Sequence, residues 1–313
     1  MRFKFWFLSV ALSSLLQTAG ARAIWIDTDP SIGLAFGEVD DAFALVLAFH
    51  CAELKIAGIS TTYGNASLNQ TTHVACDLVN HCGAVAGLRA SDVHSGASAP
   101  RDLGRVTPAT EALASALRQD RHVTYVALGP LTNLATFLKV HPHLADHIDQ
   151  IIFVGGKSPE ATHRFGPNKW IHIHDANVVK DSAAVQLVLH SKIPLLLAPV
   201  ETSFGLSLDD ADLHDIASAS SAGDYLYRKS RAWLWFWRQL VKAKGGPIFD
   251  ALAICMLRPE LVAAEKRYAD MDQSGNLIAG VQFRHGARPV RFCTMLKPVT
   301  KRFVLQTLQG ERR

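Results

Sequence analysis

Short apolar runs recur along the chain, and most are followed by a stretch whose apolar positions repeat every three or four residues. "AIWID" (23–27) precedes "DDAFALVLAFHCA", and "LKIAGISTTYG" (54–64) precedes "NQTTHVACDLVNHC". "HVTYVALGP" (122–130) precedes "LTNLATFLKVHP", and "SAAVQLVLH" (182–190) leads to "IPLLLAPVE". "QIIFVGG" (150–156) stands before a polar segment without clear periodicity, 157–180, and from about 205 to 245 the pattern is helical. Near-continuous apolar strands alternating with amphipathic helices predict an α/β fold, a mostly parallel central sheet with helices on both faces. Ligands in such folds bind beyond the carboxyl ends of the strands. The conspicuous polar and glycine positions fall there: Asp27, Asp29, Asn65, Asn133, Gly155, Gly156 and Glu201. A polar loop as long as 157–180 in a compact domain is usually functional.

The 313 residues are 49% hydrophobic and 19% charged, enough to build a core and too apolar for disorder. The opening "MRFK", the apolar "FWFLSVALSSLL" and the small residues Ala21 and Ala23 read as an export signal, residues 1–23, followed by a single domain, 24–313. That apolar run is short for a membrane span, and an uncleaved anchor or a buried first helix is the alternative. An exported chain, periplasmic or secreted, is expected, with no stable membrane association after cleavage. Setting aside Arg2, Lys4 and Arg22 lowers the net charge from +4 to +1, which leaves no basic footprint for nucleic acid. Five cysteines are too few for a disulfide scaffold; Cys76 and Cys82 could pair, or all five could be small buried hydrophobes.

The chemistry concentrates in "IWIDTDPSIGLAFGEVDDAFAL". Asp27 and Asp29, two apart at a strand end, project to the same side, while Asp40 and Asp41 open the next helix, whose positive end favours carboxylates. One capping aspartate would be ordinary. Four carboxylates repel one another and call for a cation, and hard oxygen ligands favour calcium or magnesium over zinc.

This opening resembles the D-x-D-P-G-x-D-D-A motif of the nucleoside hydrolase family, and the likeness continues in the family's order. "ISTTYGN", "ALGPLTNLA", "FVGG", "DANVVKDSAAV" and "FDALA" resemble five further family segments, so six in register cover most of residues 24–255. The chain departs from the pattern at Ser31 (glycine in the family), Val154 (methionine), Asp175 (glutamate), Ala176 (phenylalanine) and Phe249 (histidine). Asp29 and Asp40 stand eleven apart where the motif has four, so "SIGLAFGEV" carries an insertion, and "GRVTPATEAL" holds no counterpart of the family's mid-chain histidine-glycine pair.

The resemblance implies a Rossmann-like fold and calcium-dependent hydrolysis of ribonucleosides to ribose and free base, by a homo-oligomer (dimer or tetramer). It implies Asp29 as calcium ligand and acceptor of a proton from water, with Asp41, Asp250 and the Leu128 carbonyl as further ligands. Asp40, Asn65, Asn168, Asp175 and Asn177 would bind ribose, and Asp27 would support the site from behind. Phe249 has no proton to give a departing base but offers an aromatic face, which favours purines over uridine if it stacks, and packs behind Asp250 if it does not.

Two stretches invite other readings. His172 and His174 in "WIHIHD" share one side of an extended segment with Asp175 following, a conceivable zinc set, though contacts to substrate or loop fit better without a supporting cysteine pair. Trp233, Phe236 and Trp237 in "WLWFW" form a helix stripe that is either core or a cover over the base. Competing functions are a non-catalytic nucleoside-binding protein of the same fold, and a phosphoryl-transfer enzyme using "DTDP". The second leaves the other five segments unexplained.

Overall fold

Nine strands form the central sheet of the computed structural model, which describes residues 21–310 apart from 121, 168–170 and 173. The proposed signal segment before residue 21 and the ribose candidate Asn168 lie outside the described residues. In chain order, β1 (Arg22–Thr28), α1 (Asp40–His50), β2 (Leu54–Thr61), α2 (Leu68–Cys82) and β3 (Val93–Ser95) build one wing. After α3 (Pro108–Gln119) the chain crosses to the other side of β1 with β4 (Val123–Ala127), α4 (Thr132–Val140) and β5 (Ile148–Val154). The short strands β6 (Arg164–Phe165) and β7 (Ile171–His172) pair as a ribbon, then come α5 (Ala176–Lys180), α6 (Ser182–Leu189) and β8 (Leu195–Ala198). A helical stretch follows: α7 (Val200–Ser203), β9 (Ser207–Leu208), α8 (Asp210–Ala219), α9 (Ser221–Gln239), β10 (Gly246–Pro247) and α10 (Ala251–Cys255). The chain finishes with β11 (Val262–Met271), β12 (Leu277–Gly280), β13 (Arg288–Leu296) and α11 (Thr300–Leu308).

The sheet order is β12-β11-β13-β8-β5-β4-β1-β2-β3. Every pairing from β13 to β3 is parallel, and only β11 with β12 and with β13 run antiparallel. The run 3-2-1-4-5 is that of doubly wound sheets, whose crevice opens where consecutive connections leave in opposite directions. Here that point lies between β1 and β4, and Asp29 follows the end of β1 as Leu128 follows the end of β4.

Alternation along β1 builds the two cores. Ile24 and Ile26 join one apolar cluster with α1, α9 and α10, while Ala23 and Trp25 join the other with α3, α4 and α6. All eleven residues of α1 are buried, so its start is held rigidly under the sheet's carboxyl edge.

The polar segment 157–180 is less irregular than its sequence pattern, since it contains the β6–β7 ribbon and ends in α5. The antiparallel edge β11–β13 follows the last family segment, and the alternating "RPVRFCTML" could have signalled it. All five cysteines are free thiols, Cys76 partly exposed and the other four buried. No helix among the described residues is long and apolar enough to cross a membrane.

Candidate active site

Five aspartates converge at the carboxyl edge of the sheet: Asp27 and Asp29 from the end of β1, Asp40 and Asp41 from the start of α1, and Asp250 from the residue before α10. Asp27 still belongs to β1 and points to the α4 side, where its Oδ1 accepts hydrogen bonds from Ser60 Oγ (2.6 Å) and Asn133 Nδ2 (2.8 Å). Ser60 in turn accepts from the Trp25 indole, and Asn133 Oδ1 accepts from the backbone of Ala97. Asp27 thus ties four elements together from behind the site. Burial pushes its carboxyl up to about 6, against the donors that lower it.

The next residue, Thr28, turns to the opposite face and donates from Oγ1 to Asp41 Oδ1, which also accepts the Asp29 N–H at 3.0 Å. Asn65 completes this cross-brace, donating from Nδ2 to Asp41 Oδ2 (3.1 Å) and from its backbone N–H to Asp29 Oδ2 (2.7 Å). Two glycines make room for Asp29. A Cβ on Gly64 would sit 1.8 Å from its Oδ2, and one on Gly129 would sit 2.6 Å from its Oδ1.

Asp40, Asp41 and Asp250 each offer a carboxylate oxygen within 4.8 Å of the others, all three buried. Asp40 therefore stands among the candidate metal holders as well as facing the cavity where ribose is expected, whereas Asp29 lies beside the trio. Asp29, Asp40 and Asp250 are held well above the usual carboxylate range, first by burial and then by neighbouring carboxylates, Asp41 acting on all three. Asp41 is raised by burial and held down by the donors of Thr28 and Asp29. Lys180 brings its Nζ to 4.0 Å from Asp29 Oδ2, and its charge favours the ionised forms of Asp29 and Asp41. Asp29 Oδ1 and Asp40 Oδ1 are buried with no hydrogen-bond partner. Buried carboxylates in such numbers persist when a cation offsets them, and the unpartnered oxygens suit one. The donor set, all oxygen, fits a hard divalent ion.

Above this floor lies a cavity of about 330 Å³, within the range of small-molecule sites. Asp40, Asn65, Leu128, Asp175, Asn177, Phe249 and Asp250 all line it, so the structure brings together seven of the candidates named from sequence. Asn177 Nδ2 donates to the carbonyls of Leu128 (2.6 Å) and Val154 (3.0 Å), which fixes its amide and leaves its Oδ1 free of those bonds. Asp175 caps α5 and accepts the Gly156 N–H at 2.6 Å; burial raises its carboxyl to about 6. Gly156, at φ 81°, needs the left-handed backbone that lets its N–H face Asp175.

The remaining walls were less visible in the sequence. Glu38, His174, Phe236 and Trp237 also line the cavity. The tryptophan stripe divides: Trp233 and Trp237 are buried, while Phe236 is 38% exposed. His172 and His174 lie ring against ring, 4.3 Å between centroids, on the loop above Asp175. Neither joins a three-residue metal-holding group among the described residues. Lys180 lies one helical turn beyond Asn177, a spacing that could have flagged it. Glu201, singled out at the end of β8, accepts from the Ser158 N–H (2.7 Å) and pairs with His163 (3.1 Å), which fastens the loop above the site.

A family model for the inosine-uridine preferring nucleoside hydrolases matches residues 24–303. The pyrimidine-specific ribonucleoside hydrolase RihA of Photobacterium profundum is 28% identical over 286 residues, covering 83% of this chain and 88% of that protein. Among solved structures, a plant nucleoside hydrolase, PpNRh1, superposes with a TM-score of 0.75 at 22% identity, covering 93% of this chain and 98% of its own. A purine-preferring ribonucleoside hydrolase from Gardnerella vaginalis gives 0.75 at 19% identity, with 93% and 99% covered.

Proposed function

The chain belongs to the inosine-uridine preferring nucleoside hydrolase family, and we propose that it cleaves ribonucleosides to ribose and free base with calcium held by Asp29, Asp41, Asp250 and the Leu128 carbonyl. Asp40 sits close enough to Asp41 and Asp250 to contribute a fifth group. The observation that carries this reading is Asp29 Oδ1, buried and unpartnered beside three more carboxylates. When bound there, a divalent ion would offset their repulsion and make a nearby water easier to deprotonate.

The chain's own residues do the rest. Asp29 is pinned through Oδ2 by Asn65, so Oδ1 is the oxygen left to take a proton from the attacking water. Thr28 and Asn65 hold Asp41 still, which keeps the negative floor in place beneath the sugar. As the N-glycosidic bond lengthens, positive charge grows on the ribose ring, and fixed carboxylates stabilise it without reorganising. Asp40, Asn65, Asp175 and Asn177 face the same cavity and would orient the ribose hydroxyls. The base would depart toward Phe236, Trp237 and Phe249.

Export is the proposal for where the protein works, supported by the opening "MRFK" and its apolar run. Strand β1 begins at Arg22, whose N–H donates to Glu53 O and whose guanidinium donates to Leu257 O. Cleavage after Ala21, at "AGA", would therefore keep the strand whole where cleavage after Ala23 would not. We also propose a homo-oligomer, as the family resemblance implies.

The test is reducing-sugar release from uridine, cytidine, inosine and adenosine, with chelator and then with calcium restored. Turnover that vanishes in chelator and returns with calcium is the expected result. Turnover indifferent to chelator would sink the calcium assignment, and no sugar release from any riboside would sink the hydrolase reading.

A further inference from the structure

The insertion 31–39 does more than lengthen a loop. It is pinned at its base, where Ser31 Oγ donates to Glu38 O at 3.1 Å and Gly37 packs so closely that a Cβ would meet Ser31 O. Between this loop and α9 lies a second concavity of about 620 Å³, lined by Leu34, Phe36, Trp233, Trp235, Phe236 and Leu240 among others. Glu38 and Phe236 line both this compartment and the catalytic cavity, so the two meet at those side chains.

Phe36 is fully exposed and held at φ 58°, a left-handed conformation unfavourable for a residue with a Cβ. Trp235 and Leu240 on the rim of the compartment are also exposed. Clustered exposed apolar side chains around one concavity mark a binding surface. At the junction, Glu38 Oε2 and Trp233 Nε1 are buried and meet no partner at hydrogen-bonding geometry. A polar group passing between the compartments would find both an acceptor and a donor there.

Resting on the ribonucleoside reading above, we propose that this compartment receives an apolar substituent carried by the leaving base, so that the preferred substrates are ribosides of N-substituted bases. The aromatic lining suits a flat or bulky hydrocarbon group, and Glu38 Oε2 would accept the N–H that joins it to the base. Continuity with the catalytic cavity favours this occupant over a second copy of the chain.

The experiment compares N6-benzyladenosine with adenosine, and N4-benzylcytidine with cytidine, in the parent and in Ala232→Trp. Ala232 lines the outer compartment and not the catalytic cavity, so a tryptophan there is chosen to fill the first and leave the second open. Burying one benzyl group should raise kcat/KM about tenfold within at least one pair, and Ala232→Trp should erase that gain while leaving the unsubstituted riboside unchanged. Equal or poorer use of the benzylated member in both pairs overturns the proposal. So does a change of sedimentation in Ala232→Trp with the ratios untouched, which would make the face a subunit contact. If no riboside is cleaved, calorimetric binding decides. Tighter binding of the benzylated member, lost in Ala232→Trp, retains the compartment and removes the hydrolase reading, whereas equal binding removes the compartment.

Discussion

The floor of the catalytic cavity and its outer wall are built on opposite principles. On the floor, Asp27, Asp29 and Asp41 are cross-braced to Thr28, Ser60, Asn65 and Asn133. On the wall, the insertion and α9 present Phe36, Trp235, Phe236 and Leu240 to solvent with few polar ties. A braced polar floor tolerates little change in residue type, because a swap orphans the donors that Asp27 Oδ1, Asp29 Oδ2 and both Asp41 oxygens accept. An apolar wall tolerates change in shape, since packing is not directional. The family-like motifs therefore supply the floor, and the insertion 31–39 shapes the wall.

The sharpest way to break that contrast is Asp29→Asn. The amide is isosteric and can keep the Asn65 N–H bond through its carbonyl, which puts an NH2 where the proton must be accepted. Turnover should fall about a thousandfold or more. Melting temperature should hold or rise in chelator, because one repelling charge has left the cluster. Near-parental kcat would refute the assigned role.

Sugar selectivity is the next largest effect. Amides and carboxylates placed to meet hydroxyls are left unpaired when one is missing, which costs more than a lost methylene. We expect 2′-deoxyadenosine or 2′-deoxyuridine to be cleaved at least a hundredfold less efficiently than the ribonucleoside. Comparable kcat/KM would remove Asp40, Asn65 and Asn177 from the ribose.

The floor should also govern how stability responds to pH. Asp27 and Asp175 titrate at about 6 in the folded protein, against an ordinary 3.8, because burial disfavours their charge. The folded state thus retains protons that the unfolded chain has released, so stability declines as pH rises from about 4 through 6. Asp29, Asp40 and Asp250 are raised as well, by burial and mutual repulsion, which carries the penalty to higher pH. In chelator, unfolding free energy should be lower at pH 7.5 than at pH 5 by on the order of 1–3 kcal/mol. Calcium should restore more at 7.5, where the carboxylates that bind it are charged. A melting temperature indifferent to calcium at pH 7.5 would contradict the site.

The same contrast explains what could be read from sequence. The parallel sheet was legible because Ile24, Ile26, Val126 and Ile152 sit in continuous apolar runs, the signature of strands covered on both faces. The floor was legible because Asp29, Asp41, Asn65, Asn177 and Asp250 each lie at a strand end or helix start, positions that local pattern fixes. The wall was not. Glu38 and Phe36 belong to an insertion with no periodicity, and which face of the aromatic stripe meets the cavity depends on how α9 crosses the sheet. The spacing to Asn177 puts Lys180 on the same helix face, yet its reach to Asp29 depends on α5 lying against the end of β4. Such contacts join residues far apart in the chain, and spacing does not encode them.

The smallest expected effect separates two phenylalanines. Phe249 was the candidate for stacking on the base, yet it is 9% exposed and packs against Phe204 and Trp237 at centroid distances of 6.4 Å. Phe236 lines the same cavity at 38% exposed and meets Trp237 edge-on at 5.9 Å, which leaves more of its ring open. Phe236 is thus the better placed of the two to stack on a base, and purines with their larger rings should gain most. Phe236→Ala should lower kcat/KM for inosine or adenosine by about five- to tenfold, uridine less, with little change in melting temperature, since an exposed ring supports little packing. Phe249→Ala should instead destabilise the fold by about 3 kcal/mol through the cavity it leaves, and slow all bases alike by disturbing Asp250 beside it. If Phe249→Ala spares the fold and selectively harms purines, the stacking ring is Phe249. If uridine is the better substrate and Phe236→Ala treats all bases equally, neither ring chooses the base, and the wall acts on substituents alone.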